Sequence, residues 1–312
     1  MNCSIIIPVY KGHETLPALV ERLEKVLPGV AAAYEVILVD DGSPDRSWEV
    51  IQQLAKSYPW VRGLDLMRNS GQHNATLCGI RAAQYEVIIT MDDDLQHPPE
   101  EIPLLLTGLT DEYDVVYGTP QQEQHGLWRD LSSQITKLAL QAVVGAKTAR
   151  KVSAFRTFRT HLRDAFANYQ GPHPSIDVLL NWGTTRFNNI PVRIEARRMG
   201  RSNYNFYKLV THAMNMMTGF STLPLQFASI IGFVFTLFGV GVFIYVIGRY
   251  LIHGVAVQGF TFLASVIAIF SGAQLFALGI MGEYLARMHF RLMDRPAYTV
   301  RETTLFDKSE TK

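Results

Sequence analysis

Net charge, cysteine and glycine-rich phosphate loops are what this chain has least of. Its 29 Lys and Arg stand against 28 Asp and Glu, a formal net charge of +1, so no global field draws it to nucleic acid and no such partner is expected. Cys3 and Cys78 are its two cysteines, too few for a disulfide framework or a cysteine-rich metal site, and they read as packing residues in a reducing compartment. Neither G-x-G-x-x-G nor G-x-x-x-x-G-K-[ST] occurs in the first 100 residues, which removes both the dinucleotide fingerprint and the Walker-type loop. A nucleotide bound here is held by other means. Met1 leads straight into an apolar strand, so no signal peptide is expected.

What the chain has in excess is apolar sequence near its end. Hydrophobic residues make up 48% of it and the mean hydropathy is +0.07. Leu223 to Ile247 and Gly254 to Gly282 carry no charged residue, and each exceeds the roughly 20 residues that cross a hydrocarbon core of about 30 Å. Arg193, Arg197, Arg198, Arg201 and Lys208 precede the first run, and Arg287, Arg291, Arg295 and Arg301 follow the second. The connection offers only Arg249 and His253. The positive-inside rule then puts both ends in the cytoplasm. The expected organisation is a cytoplasmic domain over 1–203, an interfacial amphipathic helix over 204–222, membrane helices over 223–248 and 258–283, an external loop over 249–257 and a cytoplasmic tail over 284–312.

The first third alternates strands and helices. Apolar runs at Cys3 to Tyr10, Tyr34 to Val39 and Glu86 to Thr90 read as buried parallel strands, with helical patterns at Thr15 to Val26, Ser47 to Ser57 and Ala75 to Ala83. This is an α/β, Rossmann-like domain with a mostly parallel sheet, whose ligands gather at the carboxyl ends of the strands. Two of those ends are acidic: Asp40-Asp41-Gly42-Ser43, and Asp92-Asp93-Asp94-Leu95-Gln96-His97-Pro98-Pro99. If the second segment stays extended, Asp92, Asp94 and Gln96 share a face and Asp93 points the other way. Two carboxylates and an amide oxygen suit Mg2+ or Mn2+, hard ions that keep positions open for water and substrate phosphates. Asp40 or Asp41 would then accept hydrogen bonds from a base or ribose while the metal neutralises a diphosphate.

Between this domain and the apolar runs, Leu127 to Leu138 and Tyr204 to Met217 have helical periodicity, and the second is expected at the membrane interface. Arg156, Arg159 and Arg163 recur at near-helical spacing, and Arg197, Arg198 and Arg201 flank Met199-Gly200. Guanidinium groups suit phosphate, so Arg156 is a candidate for an acceptor or diphosphate, as an alternative to a basic face that attracts anionic lipid. Ala264, Ala268 and Gly272 form a small-residue row that permits close helix approach.

Ile-Pro-Val-Tyr (7–10), Val-Asp-Asp-Gly-Ser (39–43), Arg-Asn-Ser-Gly-Gln (68–72), Asp-Asp-Asp-Leu-Gln-His-Pro-Pro-Glu (92–100), Ser-Ala-Phe-Arg (153–156) and Arg-Arg-Met-Gly-Arg-Ser-Asn-Tyr (197–204) together resemble the family 2 glycosyltransferases. Within these the chain is similar to the polyprenyl-phosphate glycosyltransferases of the dolichol-phosphate mannose synthase and bacterial GtrB type. The resemblance implies a GT-A fold in a bacterial plasma membrane, a nucleotide sugar as donor and undecaprenyl or another polyprenyl phosphate as acceptor, with inversion at the anomeric carbon. It implies metal on Asp92, Asp94 and Gln96, a nucleotide pocket lined by Pro8, Tyr10, Asp40 and Asp41 with Asp93 beside them, and phosphate contacts from Arg129, Arg201 and Ser202.

One segment departs from the family pattern: relatives commonly show Tyr-Asn-x-Glu-Glu where this chain has Tyr10-Lys11-Gly12-His13-Glu14, so only Glu14 is carried over. UDP-glucose is the expected donor and a homotetramer the expected assembly, both from the resemblance. GDP-mannose and UDP-N-acetylglucosamine are the alternative donors, because the selective contacts fall in loops such as Gly118 to His125. Whether Asp177 or Glu195 joins the site is left open. A processive polysaccharide synthase would carry Gln-x-x-Arg-Trp, which is absent; a non-catalytic lipid-binding scaffold is the alternative of another class.

Overall fold

The computed structural model describes residues 1–121, 152–172, 174–195, 218–253, 259–293 and 295–304. Two units are distinct, one formed by Met1–Thr211 with Asp294–Lys312 and the other by His212–Met293.

In the first unit the apolar runs do form strands, and they are buried on both faces. All residues of β1 (Cys3–Val9) are buried, as is nearly all of β2 (Tyr34–Asp40), the signature of parallel strands covered on both sides. Ile5 and Ile7 pack with Leu16, Leu19 and Leu23 of α1 (Leu16–Val26) and Ile51 of α2 (Ser47–Ser57). Ile6 on the opposite face packs with Leu77 and Ile80 of α3 (Gln72–Ala82) and Leu179 of α5 (Ile176–Gly183). The period of two in the strand and the i, i+3, i+4, i+7 spacing in α1 thus build one layer of helices on each face.

Eight strands form one sheet in the order β7-β5-β6-β4-β1-β2-β3-β8. They include β3 (Val61–Leu66), β4 (Val87–Thr90), β5 (Val115–Pro120), β6 (Arg156–Arg159), β7 (Phe187–Val192) and β8 (Val300–Thr303). The pairs β1–β2, β1–β4, β2–β3 and β5–β7 are parallel. Strands β6 and β8 run antiparallel to their neighbours. The short helix α4 (Ile102–Thr107) follows the acidic segment.

Arg156 to Arg163 do not share a helical face, because Arg156–Arg159 is strand and a 3-10 turn, Thr160–Phe166, follows. The expected tail also differs: the chain after the apolar helices returns to the sheet as β8, on the outer edge of β3.

The amino ends of the strands carry a polar network centred on a carboxylate. Glu35 accepts from Ser4 Oγ at 2.6 Å and the Gln84 amide at 2.7 Å, and it pairs with Arg62. Glu35 and Ser4 are buried, so this is an ion pair held away from water with its acceptors filled.

The second unit is a pair of long helices, α6 (Leu223–His253) and α7 (Phe260–Leu292). Each outruns the apolar stretch expected of it, since helical hydrogen bonding continues past Arg249 and through Glu283 and Arg287, which pair at 2.7 Å with i,i+4 spacing. Phe270 packs edge-on to Phe235 with ring centroids 5.5 Å apart, and the Tyr284 hydroxyl donates to the Ser221 carbonyl at 2.6 Å. Leu223–Ile252 and Ile269–His289 are long and apolar enough to cross a membrane, and 0% of the most apolar stretch of either is buried within the protein. A soluble core helix would be covered; these leave Phe243 67% and Leu251 76% exposed, which suggests membrane association. The expected interfacial helix, in its part from 204 to 217, positions 254–257 of the expected external loop and position 258 of the second expected membrane helix lie outside the described residues.

Arg62→Met leaves Glu35 buried without its cation. The expected result is a loss of about 3–5 kcal/mol in chemical unfolding of the first unit, with the acidic strand ends unaltered because the network sits at the opposite end of the sheet.

Candidate active site

Past Thr90 the backbone leaves the sheet, and the acidic segment is bent rather than extended. Leu95 takes φ +62 with its side chain buried, so the strict alternation expected of Asp92 to Gln96 does not hold. Asp92, Asp93 and Asp94 instead line one open cleft of ≈ 290 Å³. Pro8, Val9 and Tyr10 from the end of β1, Asp41 from the end of β2, and Asn69, Gly71 and Gln72 from the turn into α3 complete it. The carboxyl ends of adjacent parallel strands thus meet where a doubly wound sheet places its ligand.

Each carboxylate is set by different partners. Gln72 Nε2 donates to Asp92 Oδ1 at 2.6 Å, while Gln96 donates to Asp94 through its backbone amide at 3.1 Å and through Nε2 at 2.7 Å. Gln96 therefore orients Asp94 and is not itself part of the cleft lining. Asp93 drops inward, and its Oδ2 is buried with no hydrogen-bond partner among the described residues. A Cβ on Gly12 would lie 2.4 Å from that oxygen, so glycine is the side chain that fits beneath it. Burial, and then the charges of Asp92 and Asp94, push the Asp93 carboxyl up to about 7. His97 stacks on Phe155 with centroids 5.2 Å apart and 20° between planes, which packs the segment from below.

Asp41 clamps the neighbouring loop: its two oxygens accept from the amides of Ser70 at 2.6 Å and Gly71 at 2.9 Å. Burial raises its carboxyl above the usual range while those two amides pull it back. Gly42 turns the chain with φ +63, and a Cβ there would lie 2.6 Å from the Arg68 backbone, so the same loop is gripped from both sides.

Several expected site residues are placed elsewhere. Asp40 is 1% exposed and off the cleft lining, with its carboxylate taking the Ser43 hydroxyl and, at 3.3 Å, the Ser43 amide. Its role is to shape the turn that presents Asp41. Glu14 is also off the lining, exposed and 3.8 Å from His13 Nε2. Arg156 is corrected outright as a phosphate ligand: it is 4% exposed, paired with Asp177, bonded through Nε to Thr90 Oγ1 at 3.0 Å and set over the Tyr117 ring. It ties β4, β5 and α5 together. Asp177 also accepts from the Tyr117 hydroxyl at 3.0 Å and Glu195 pairs with Arg22 at 2.9 Å, which gives both a structural task. Arg129, Arg201 and Ser202 lie outside the described residues. Gln72 and Asn69 are cleft residues that sequence reasoning did not single out, although both fall within the Arg-Asn-Ser-Gly-Gln segment.

Among the described residues no three His, Cys, Asp or Glu side chains converge at metal-ligand spacing. Asp92 and Asp94 still suit Mg2+ or Mn2+, because such ions take one or two carboxylates and fill the remaining positions with water and substrate phosphate oxygens. The crowded charge around the partnerless Asp93 oxygen is what a divalent cation would offset.

Comparison with known proteins identifies the family and the fold. The model of the family described as "Glycosyl transferase family 2" matches residues 4–169. An undecaprenyl-phosphate 4-deoxy-4-formamido-L-arabinose transferase of Pectobacterium carotovorum is 35% identical over 305 residues, 97% of this chain and 93% of that protein. One of the same name from Yersinia pestis is 33% identical, covering 98% of this chain and 95% of its own length. Among solved structures, glucosyl-3-phosphoglycerate synthase from Mycobacterium tuberculosis, in complex with Mn2+, UDP-glucose and phosphoglyceric acid, superposes with a TM-score of 0.53 at 14% identity, over 70% of this chain and 77% of that one. The GT-A fold expected from the motifs is the fold observed.

Burial pushes the Asp40 carboxyl up to about 6 from an ordinary 3.8, against the pull of Ser43. A carboxyl raised on folding stabilises while protonated, so its contribution is full below about 4 and is lost as pH rises through about 6. Asp40→Asn removes that loss. The variant is expected to gain about 1–3 kcal/mol at pH 8 and to converge on the native chain by pH 4 in parallel thermal melts.

Proposed function

Because this chain belongs to glycosyl transferase family 2, we propose that it transfers a sugar, with inversion, from a nucleotide diphosphate donor to undecaprenyl phosphate at the cytoplasmic face of a membrane. The observation that carries this reading is the single cleft in which Asp92 and Asp94, both oriented by glutamine amides, face Asp41 and Tyr10. The names and near full-length match of the relatives support the lipid phosphate acceptor. The two apolar helices supply a chain suited to a substrate that stays in a bilayer.

The residues divide the work by position. Tyr10, 47% exposed at the cleft rim, offers a ring face to the base. Asp41 and the Asn69–Gln72 turn hold the ribose side. Asp92 and Asp94 hold the divalent cation, which supplies charge neutralisation for the diphosphate and for the departing nucleotide. Arg129, Arg201 and Ser202 are assigned to the acceptor and diphosphate phosphates.

A lipid monophosphate has a second pKa of about 6, by analogy with phosphorylated side chains. Its oxygen is thus already anionic near neutral pH, and no side chain need act as a base. The task left to the protein is alignment of two anions in line with the anomeric carbon.

The donor sugar has two readings. Glucose rests on the family resemblance, whereas the relatives at 33–35% identity are named for 4-deoxy-4-formamido-L-arabinose. The two differ only in the contacts made to the sugar ring. A tetrameric assembly belongs to the same proposal, and crosslinking in mild detergent that yields monomer alone would remove it. A non-catalytic scaffold would have no use for two aspartates individually oriented by amide donors.

Purified chain incubated with Mn2+ or Mg2+, undecaprenyl phosphate and labelled nucleotide sugar should give label in the organic phase. UDP-glucose and the UDP-linked formamido sugar in parallel separate the two donors. Asp94→Ala and Asp92→Ala are expected to cut transfer by about 10²-fold or more with unfolding midpoints unchanged; full activity in either variant, or label that is indifferent to a chelator, would refute the metal assignment.

A further inference from the structure

The segment that follows α7 adds more to the domain than an edge strand. β8 pairs antiparallel with β3 through Leu64↔Thr303, Asp65↔Glu302 and Leu66↔Val300, with a register shift between Asp65 and Leu66. Arg301 is the residue left without a partner in that ladder. A bulge of this kind re-aims a side chain, and here it turns the guanidinium back over the end of β3. Nη1 lies 3.3 Å from Asp65 Oδ2 and Nη2 donates to the Met67 carbonyl at 2.9 Å. The Met67 amide donates in turn to the Thr299 carbonyl at 2.9 Å. Both backbone polar groups of Met67 are therefore held by the C-terminal segment.

Met67 opens the loop that forms one wall of the cleft. Two and more residues on, Asn69, Gly71 and Gln72 line the cleft, the amides of Ser70 and Gly71 hold Asp41, and Gln72 holds Asp92. Asp65 is 2% exposed and stands opposite Asp40 in the β2–β3 register, where its charge adds to the burial that pushes the Asp40 carboxyl up. Arg301 is the cation within ion-pair distance of Asp65 among the described residues. Covering the edge of β3 would need only a flat strand. It would not need an arginine aimed at a buried carboxylate and at the first peptide of a cleft loop.

We propose that Arg301 is a positioning residue of the donor site: from the C-terminal strand it fixes Met67 and Asp65, and through them the loop that presents Asn69, Gly71 and Gln72 to the nucleotide and holds Asp41 and Asp92. This rests on the donor-site reading above. It makes the donor pocket depend on a segment that enters the sheet only after the chain has passed through both apolar helices.

The test is binding of UDP, and of GDP in parallel, to the full chain in detergent with Mn2+, alongside donor KM and kcat. Arg301→Gln is expected to weaken nucleotide binding and raise donor KM about five- to tenfold, a loss of the size expected for one charge-assisted contact, with kcat within about twofold. Arg301→Lys, which keeps the charge on Asp65, should recover part of the loss. Thr304→Val removes the bond from the Gly63 amide to Thr304 Oγ1, 2.6 Å in the native chain, and touches neither Met67 nor Asp65. It should lower the melting temperature and leave nucleotide affinity unchanged. A lowered melting temperature with native affinity in Arg301→Gln would overturn the proposal and leave β8 as an edge cover. Failure of the native chain to bind either nucleotide would overturn the donor-site reading, and the positioning role with it.

Discussion

Carboxylates crowded at one edge of a buried sheet repel one another, and much of the surrounding structure exists to hold them there. Asp92, Asp93 and Asp94 follow β4, Asp40 and Asp41 end β2, and Asp65 stands beside them on β3. Such a row is stable only where each member has a donor, a cation or a proton. The structure assigns these one by one: Gln72 and Gln96 amides, the Ser43 hydroxyl, the Ser70 and Gly71 amides, and Arg301. Asp93 keeps one buried oxygen, Oδ2, with no hydrogen-bond partner among the described residues, and its carboxyl is pushed up to about 7. A divalent cation would offset this charge, and on the proposed reading it would in turn neutralise the diphosphate of the donor.

The opposite end of the sheet is organised by the same rule with the opposite outcome. Glu35 there has its cation and its donors within the protein, so its charge is met without a ligand. Stability and chemistry are therefore separated along the strands. The Arg156–Asp177 pair repeats the pattern beneath the cleft, which explains why an arginine so close to the site is closed to phosphate.

The parts of this arrangement visible in the sequence were those with a local signature. Apolar β-branched runs announced β1, β2 and β4, and the two that lead into Asp announced the meeting of Asp41 with Asp92 to Asp94. Leu95 hid its left-handed backbone, because nothing in a leucine signals positive φ. Arg156 read as helical from its spacing to Arg159 and Arg163, yet its strand conformation comes from pairing with β4 and β5. Gln72 escaped notice because a neutral amide carries no pattern of its own. Strand β8 was out of reach for a similar reason: Val-Arg-Glu-Thr has no apolar alternation, all of it is exposed, and its partner lies far back in the chain. The two apolar helices needed no tertiary information, since their length and composition suffice.

On the proposed reading this acidic edge binds cation and nucleotide diphosphate as a pair. Titrating Mn2+ into the full chain with and without UDP, followed by the paramagnetic signal of the free ion, tests it most directly. UDP is expected to tighten Mn2+ binding by about tenfold or more, with the reciprocal tightening of UDP by Mn2+. Equal Mn2+ affinity in both titrations, or UDP binding that is unchanged by a chelator, would contradict it.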